Sequence, residues 1–171
     1  EDWKGVIGCL RRLMTFETHP VRKAQRAIGI GEIFARVYGD QRRAAGWFKR
    51  AVELAPSEVG GVRRMLRSIE ASEPGEIPVS HVDDAVDRCI AAQRERLGDA
   101  PAEPGALRSL CELYRFRGEL DAELIVGQVL CWLDRADAEL RTRLEAIAPT
   151  ASGRFELPLD AELRDTFLID D

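Results

Sequence analysis

A chain of 171 residues with 45% hydrophobic side chains holds enough apolar material for one domain with a substantial core, which excludes a disordered polypeptide. Charged residues make up 32% and aromatics 6%, a balance that suits helices with one apolar stripe and one wet face better than a sandwich of strands. The net charge of −5 hides an asymmetry, because residues 1–67 carry fourteen Lys and Arg against seven Asp and Glu while the remainder carries 11 against 23.

Segments of helical periodicity alternate with short breaks, and no run shows the period-two alternation of a half-buried strand. The first helix is expected from Trp3 to Met14, with Trp3, Val6, Ile7, Leu10 and Met14 on one stripe. His19-Pro20 breaks it, since proline disfavours a helical residue before itself yet fits a first helical turn. A second helix from Val21 to Tyr38 presents Val21, Ala24, Ile28, Phe34 and Val37. Gly39 can close it in a left-handed conformation, and Asp40 can cap the next helix by accepting from free backbone N–H groups. That third helix, Gln41 to Leu54, groups Ala44, Trp47, Phe48, Ala51 and Val52; Pro56 and Ser57 then close it and cap a fourth bearing Val62, Met65, Leu66 and Ile69.

Residues 73–80 read as a loop between a basic half, 1–72, and an acidic half, 81–171, of a single domain. Ser80 and Asp83 form a weak capping-box match before a fifth helix with Val82, Ala85, Val86, Cys89, Ile90 and Leu97 inward. A sixth helix carries Leu107, Leu110, Cys111 and Tyr114 up to Gly118. A seventh runs from Glu119 to Leu133 and an eighth from Ala136 to Ile147. A last short helix is expected from Asp160 to Leu168. The connections are short enough to make sequential helices antiparallel neighbours.

The segment Gly39-Asp40, Ala44, Phe48, Ala51, Pro56 resembles the second half of a tetratricopeptide repeat. Small residues at Ala44 and Ala51 let a neighbouring helix approach, Phe48 fills the space between, and proline ends the unit. Gly31 and Phe34 supply the small and aromatic pair of the first half, one position early relative to Gly39. Leu107, Leu110, Cys111, Tyr114 and Gly118 read as a second copy, with Cys111 in the small position and Tyr114 in the aromatic one. Gly127 and Leu130 depart from it where an aromatic and an alanine belong. The whole also looks like the divergent arrays of large myxobacterial-type proteins. The resemblance implies an all-α, right-handed stack of about three to four antiparallel helix pairs, used as a scaffold or protein-interaction module.

In such modules the first helices of successive pairs line a groove that grips a peptide or helix. The family positions put Arg108, Glu112, Arg115 and Phe116 on that groove in the second copy, and Arg36 in the first. These residues are the expected partner-binding site, set against the alternative of an ordinary solvated surface. A structural spacer or regulatory segment of a larger protein is the alternative function, and a basic array contacting nucleic acid is the third, disfavoured because Arg11-Arg12, Arg42-Arg43 and Arg63-Arg64 lie on separate helices with acidic residues nearby.

No catalytic residues, metal or cofactor are expected. His19 and His81 stand apart at helix starts, and Gly29-Ile30-Gly31 lacks the preceding strand and third glycine of a dinucleotide site. Cys9, Cys89, Cys111 and Cys131 form no CxxC pair and read as reduced thiols, three of them on apolar stripes. No apolar run approaches the roughly 20 residues of a membrane span and no signal-peptide pattern is seen, so a cytoplasmic address is expected. The start at Glu1-Asp2-Trp3 reads as the middle of a helix. It leads to the expectation of an excerpt from a longer, bacterial protein, whose Trp3 end supports self-association or stacking on further repeats. Trp47 and Trp132 are expected in packing.

Overall fold

The computed structural model describes residues 2–150, apart from the side chains of Val79 and His81. Among these residues there are eight helices and no strand: α1 (Trp3–Phe16), α2 (Pro20–Arg36), α3 (Gln41–Leu54), α4 (Gly60–Glu70), α5 (Val79–Asp99), α6 (Pro104–Arg117), α7 (Leu120–Trp132) and α8 (Ala138–Ile147). The protein is all-α. The short helix expected from Asp160 to Leu168 lies outside the described residues. No helix among the described residues is long and apolar enough to cross a membrane.

Local chemistry sets several helix ends. The carboxylates of Asp2, Asp40 and Asp137 accept from the backbone N–H of Gly5, Arg43 and Leu140 at 2.9, 2.8 and 2.8 Å, each answering a donor that has no partner within its helix. Gly118 closes α6 at φ 70° and Gly39 turns the chain toward α3 at φ 65°, both in the left-handed region where a side chain would be strained. Two expectations at helix starts are corrected. Ser57 does not cap α4, which begins behind Val59 without a side-chain cap, and Ser80 falls inside α5 rather than ahead of it.

The chain divides into two compact units, Glu1–Ala92 and Gln93–Asp171, with the division inside α5. In the first unit α2 packs on α1 and α3, and α3 on α4. Pairings fix the directions. Gly31 faces Phe48 while Ala35 faces Gln41, so α3 runs back along α2. Glu32 bonds Arg64 across 32 residues, and a Cβ on Gly60 would stand 3.8 Å from Ile28, again 32 residues away. Therefore α4 runs parallel to α2 in one constant register.

Close approach is what the small residues provide. Ala24, Ala27, Ala51 and Ala55 form one buried cluster under Met14, Val21, Ile28, Trp47 and Leu54. Phe48, 2% exposed, lies against the bare backbone of Gly31, where a Cβ would come within 2.7 Å of its Cδ1. Ala44, Ala51 and Phe48 are buried together, and Pro56 is half-buried in the turn after α3.

In the second unit α6 packs on α7 and α7 on α8 around Leu107, Cys111, Leu124, Leu130, Leu133, Leu140, Leu144 and Ile147. Gly127 has Leu144 pressed against it, since a Cβ there would lie 2.5 Å from Leu144 Cδ2. The space that an aromatic at 127 would fill is taken by a leucine from the next helix. Tyr114 is buried, and its hydroxyl oxygen accepts from Arg94 Nε at 3.0 Å, which satisfies the polar end of the ring.

Candidate functional site

Arg108, Cys111, Glu112 and Arg115 stand on one face of α6, at i, i+3, i+4 and i+7, and form one wall of a small hollow of about 150 Å³. Asp137, Glu139 and Leu140, at and after the start of α8, form the other wall. The hollow is polar and carries both signs of charge. Arg108 Nη2 donates to the carbonyl of Arg135 at 2.6 Å, and the Asp137 carboxylate is engaged in capping α8. Phe116, 44% exposed, is not among the lining residues. The structure thus brings three of the four expected α6 residues to one place.

Arg115 of this wall reaches a residue that sequence reasoning missed. Glu123 of α7 is fully buried, and its carboxylate joins three helices. Arg115 Nε of α6 donates to Oε1 at 2.9 Å, while Arg143 of α8 donates through Nε to Oε1 and through Nη2 to Oε2, both at 3.2 Å. Burial alone raises the carboxyl pKa, but hydrogen bonds from Arg143 and Arg115, with their charges, outweigh it and hold the group below the ordinary carboxylate value. Glu123 is therefore a charged, structural bridge. Its signal in the sequence is faint: Glu123 is one of two acids, with Asp121, between Leu120 and Leu124 in the first turn of α7, where acids are ordinary, and the arginines stand at 115 and 143.

The thiol of Cys111 donates weakly to the Glu123 carbonyl at 3.8 Å. Burial, aided by the Glu123 charge, pushes this thiol up to about 12, and burial alone does the same to Cys89. Both are inert fillers at neutral pH rather than nucleophiles. Cys131 is half-buried and also raised by burial, while Cys9 is exposed.

The first unit holds a related arrangement. Glu32, Ala35 and Arg36 of α2, Gln41 and Phe48 of α3, and Arg64, Arg67, Ser68 and Ala71 at α4 surround a hollow of about 200 Å³. The Glu32 carboxylate takes Arg36 Nε at 2.7 Å on one oxygen and Arg64 Nε at 2.6 Å on the other. Arg36 does reach a groove wall, already paired along its own helix. In each unit, a carboxylate bonded by two arginines ties the two helices that flank the hollow.

A third feature was also missed. Arg11 of α1 stacks over Trp47 of α3, guanidinium carbon 5.1 Å from the ring centre, and Arg43 stacks over Phe34 at 5.7 Å. The pattern was present as Lys4, Ile7 and Arg11 on one face of α1 and Arg43, Trp47 and Arg50 on one face of α3. Nothing local links the two stripes.

Comparison with protein-family models, with curated proteins and with solved structures finds no match to this chain.

Proposed function

We propose that the chain is a non-catalytic protein-interaction or scaffolding module of tetratricopeptide type, acting in the cytoplasm. The observation that carries this reading is the register between α2 and α4. Ile28 meets Gly60 and Glu32 meets Arg64 after the same 32 residues, close to the repeat of about 34 residues in tetratricopeptide arrays. Helix pairs repeating at that distance leave the first helices of successive pairs side by side, and the hollows flanked by α2 and α4 and by α6 and α8 are where such modules hold a peptide. The close approach of Gly31 and Phe48 supports the family packing, although the small residue stands one position early.

A second reading has its own support. Arg36 and Arg115 are engaged with Glu32 and Glu123, and Arg108 with a backbone carbonyl, which suits a spacer whose polar contacts serve its own chain. Affinity capture separates the two. The intact chain is compared with an Arg108→Ala, Glu112→Ala variant that leaves the Glu123 bridge in place. The interaction reading expects the variant to lose specific partners, and retention of the same set would favour the spacer.

A further inference from the structure

The Arg11–Trp47 and Arg43–Phe34 stacks belong to a continuous groove in the first unit. One hollow of about 490 Å³ is lined by Arg11, Phe34, Arg43, Gly46, Trp47 and Arg50. Another of about 390 Å³ shares Arg11, Phe34 and Arg43 with it and adds Lys4, Ile7, Tyr38 and Asp40. The α1 stripe forms one bank and the α3 stripe the other. Phe34 is buried, and its ring centre lies 5.7 Å from that of Tyr38, which is 44% exposed. We infer that this groove binds a peptide segment of a partner protein that carries carboxylates beside an apolar side chain.

The chemistry selects that ligand. Four cations and one carboxylate line the two hollows, and the cations not paired locally among the described residues, Lys4 and Arg11, are complementary to a short anionic segment. Arg43 and Arg50 already have carboxylates of their own, Asp40 at 3.2 Å and Glu53 at 2.9 Å. Arg11 has no ion pair among the described residues. Its guanidinium carbon is held 5.1 Å from the Trp47 ring centre, and arginine favours bidentate contact with a carboxylate. An apolar side chain of the same peptide rests on Tyr38 and Ile7 between the banks.

Single-stranded nucleic acid suits the groove less well. It needs open aromatic faces for bases and several uncompensated cations for phosphates. Here the faces of Trp47 and Phe34 already carry guanidinium groups, and two of the four cations are neutralised locally.

The inference rests on the interaction reading only in taking a peptide as the ligand, and it concerns a different surface. The test uses the full chain and a short blocked peptide of interspersed Asp, Leu and Phe, with an otherwise identical Asn-for-Asp peptide and oligo(dT) as the other probes, followed by calorimetry. Saturable binding of the acidic peptide is expected, weakened about tenfold or more in the Asn peptide and in Arg11→Ala, as for loss of a charge-assisted pair. Lys4→Glu should weaken it as well, and Arg108→Ala should not. Circular dichroism confirms that each variant is folded; should Arg11→Ala lose helix, Lys4→Glu decides. Absence of saturable peptide binding, binding indifferent to Arg11 and Lys4, or tighter binding of oligo(dT) that displaces the peptide would each overturn the assignment. Loss of captured partners in the Arg108, Glu112 variant is an independent outcome, so the two ideas fail separately.

Discussion

The guanidinium of Arg143 meets both carboxylate oxygens of Glu123 at 3.2 Å, a two-pronged contact from α8 onto a fully buried acid of α7. Stripping a buried charge of its partner typically costs about 3–5 kcal/mol. Arg115 remains to hold Glu123, so Arg143→Met should cost less, about 2 kcal/mol by urea unfolding. Replacing all three groups together, Arg115→Met, Glu123→Leu and Arg143→Met, should recover most of that loss, because no uncompensated charge is left inside. An unchanged midpoint in Arg143→Met would show that the bridge is dispensable.

The same bridge sets an acid limit. Glu123 has a folded pKa held below its unfolded value of about 4.3, so its stabilisation is complete above that pH and is lost as pH falls through the folded value. The stability gap between the intact chain and Arg143→Met should therefore be constant near neutrality and narrow on acidification below about pH 4. Unfolding curves across a pH series measure it, and a gap that widens in acid would contradict the assignment of a charged Glu123.

Packing at the helix crossings is equally open to test. Ala51 is 2% exposed, and a Cβ on Gly61 of α4 would stand 3.3 Å from its own Cβ. Ala51→Leu should overpack this contact and destabilise by about 1–3 kcal/mol. Gly31→Ala gains about 1 kcal/mol of helix propensity but drives a methyl into the buried Phe48 ring, and the clash should win. A raised melting temperature in Gly31→Ala would show that the ring has room to move.

Thiol titration with a soluble disulfide reagent should find Cys9 reacting at once, Cys131 slowly, and Cys89 and Cys111 only on unfolding. Exposure and the raised thiol values of the other three give that order. Rapid reaction of Cys111 in the folded protein would contradict its burial against α7.

Helix α3 was legible from end to end because its signals are local: Gly39 and Asp40 before it, an apolar stripe within it, and Pro56 after it. The stop of α6 at Gly118 was legible for the same reason. The start of α4 was not. Pro56-Ser57 reads as its cap, yet the helix begins at Gly60, and Gly61 is small because a Cβ would come within 3.0 Å of Val52 Cγ2 and 3.1 Å of the Phe48 carbonyl. Of the candidate site, the family resemblance supplied one helix face, of which Arg108, Glu112 and Arg115 line one hollow and Phe116 does not. Glu123 was hidden because an acid in the first turn of a helix, beside Asp121, is ordinary until Arg143, 20 residues later, folds onto it. The Arg11–Trp47 stack was hidden in the same way, across two helices whose proximity no local pattern encodes.

Photo-crosslinking decides whether the chain holds a protein partner through its helical grooves. A photoreactive residue is placed at position 112 in the hollow flanked by α6 and α8, at position 4 in the groove between α1 and α3, and at the exposed position 25 on α2 as a reference. Irradiation in extract of the native host should give discrete adducts from 112 or 4 that are absent from 25. Identical, diffuse labelling from all three positions would contradict an interaction module and leave a structural spacer as the better account.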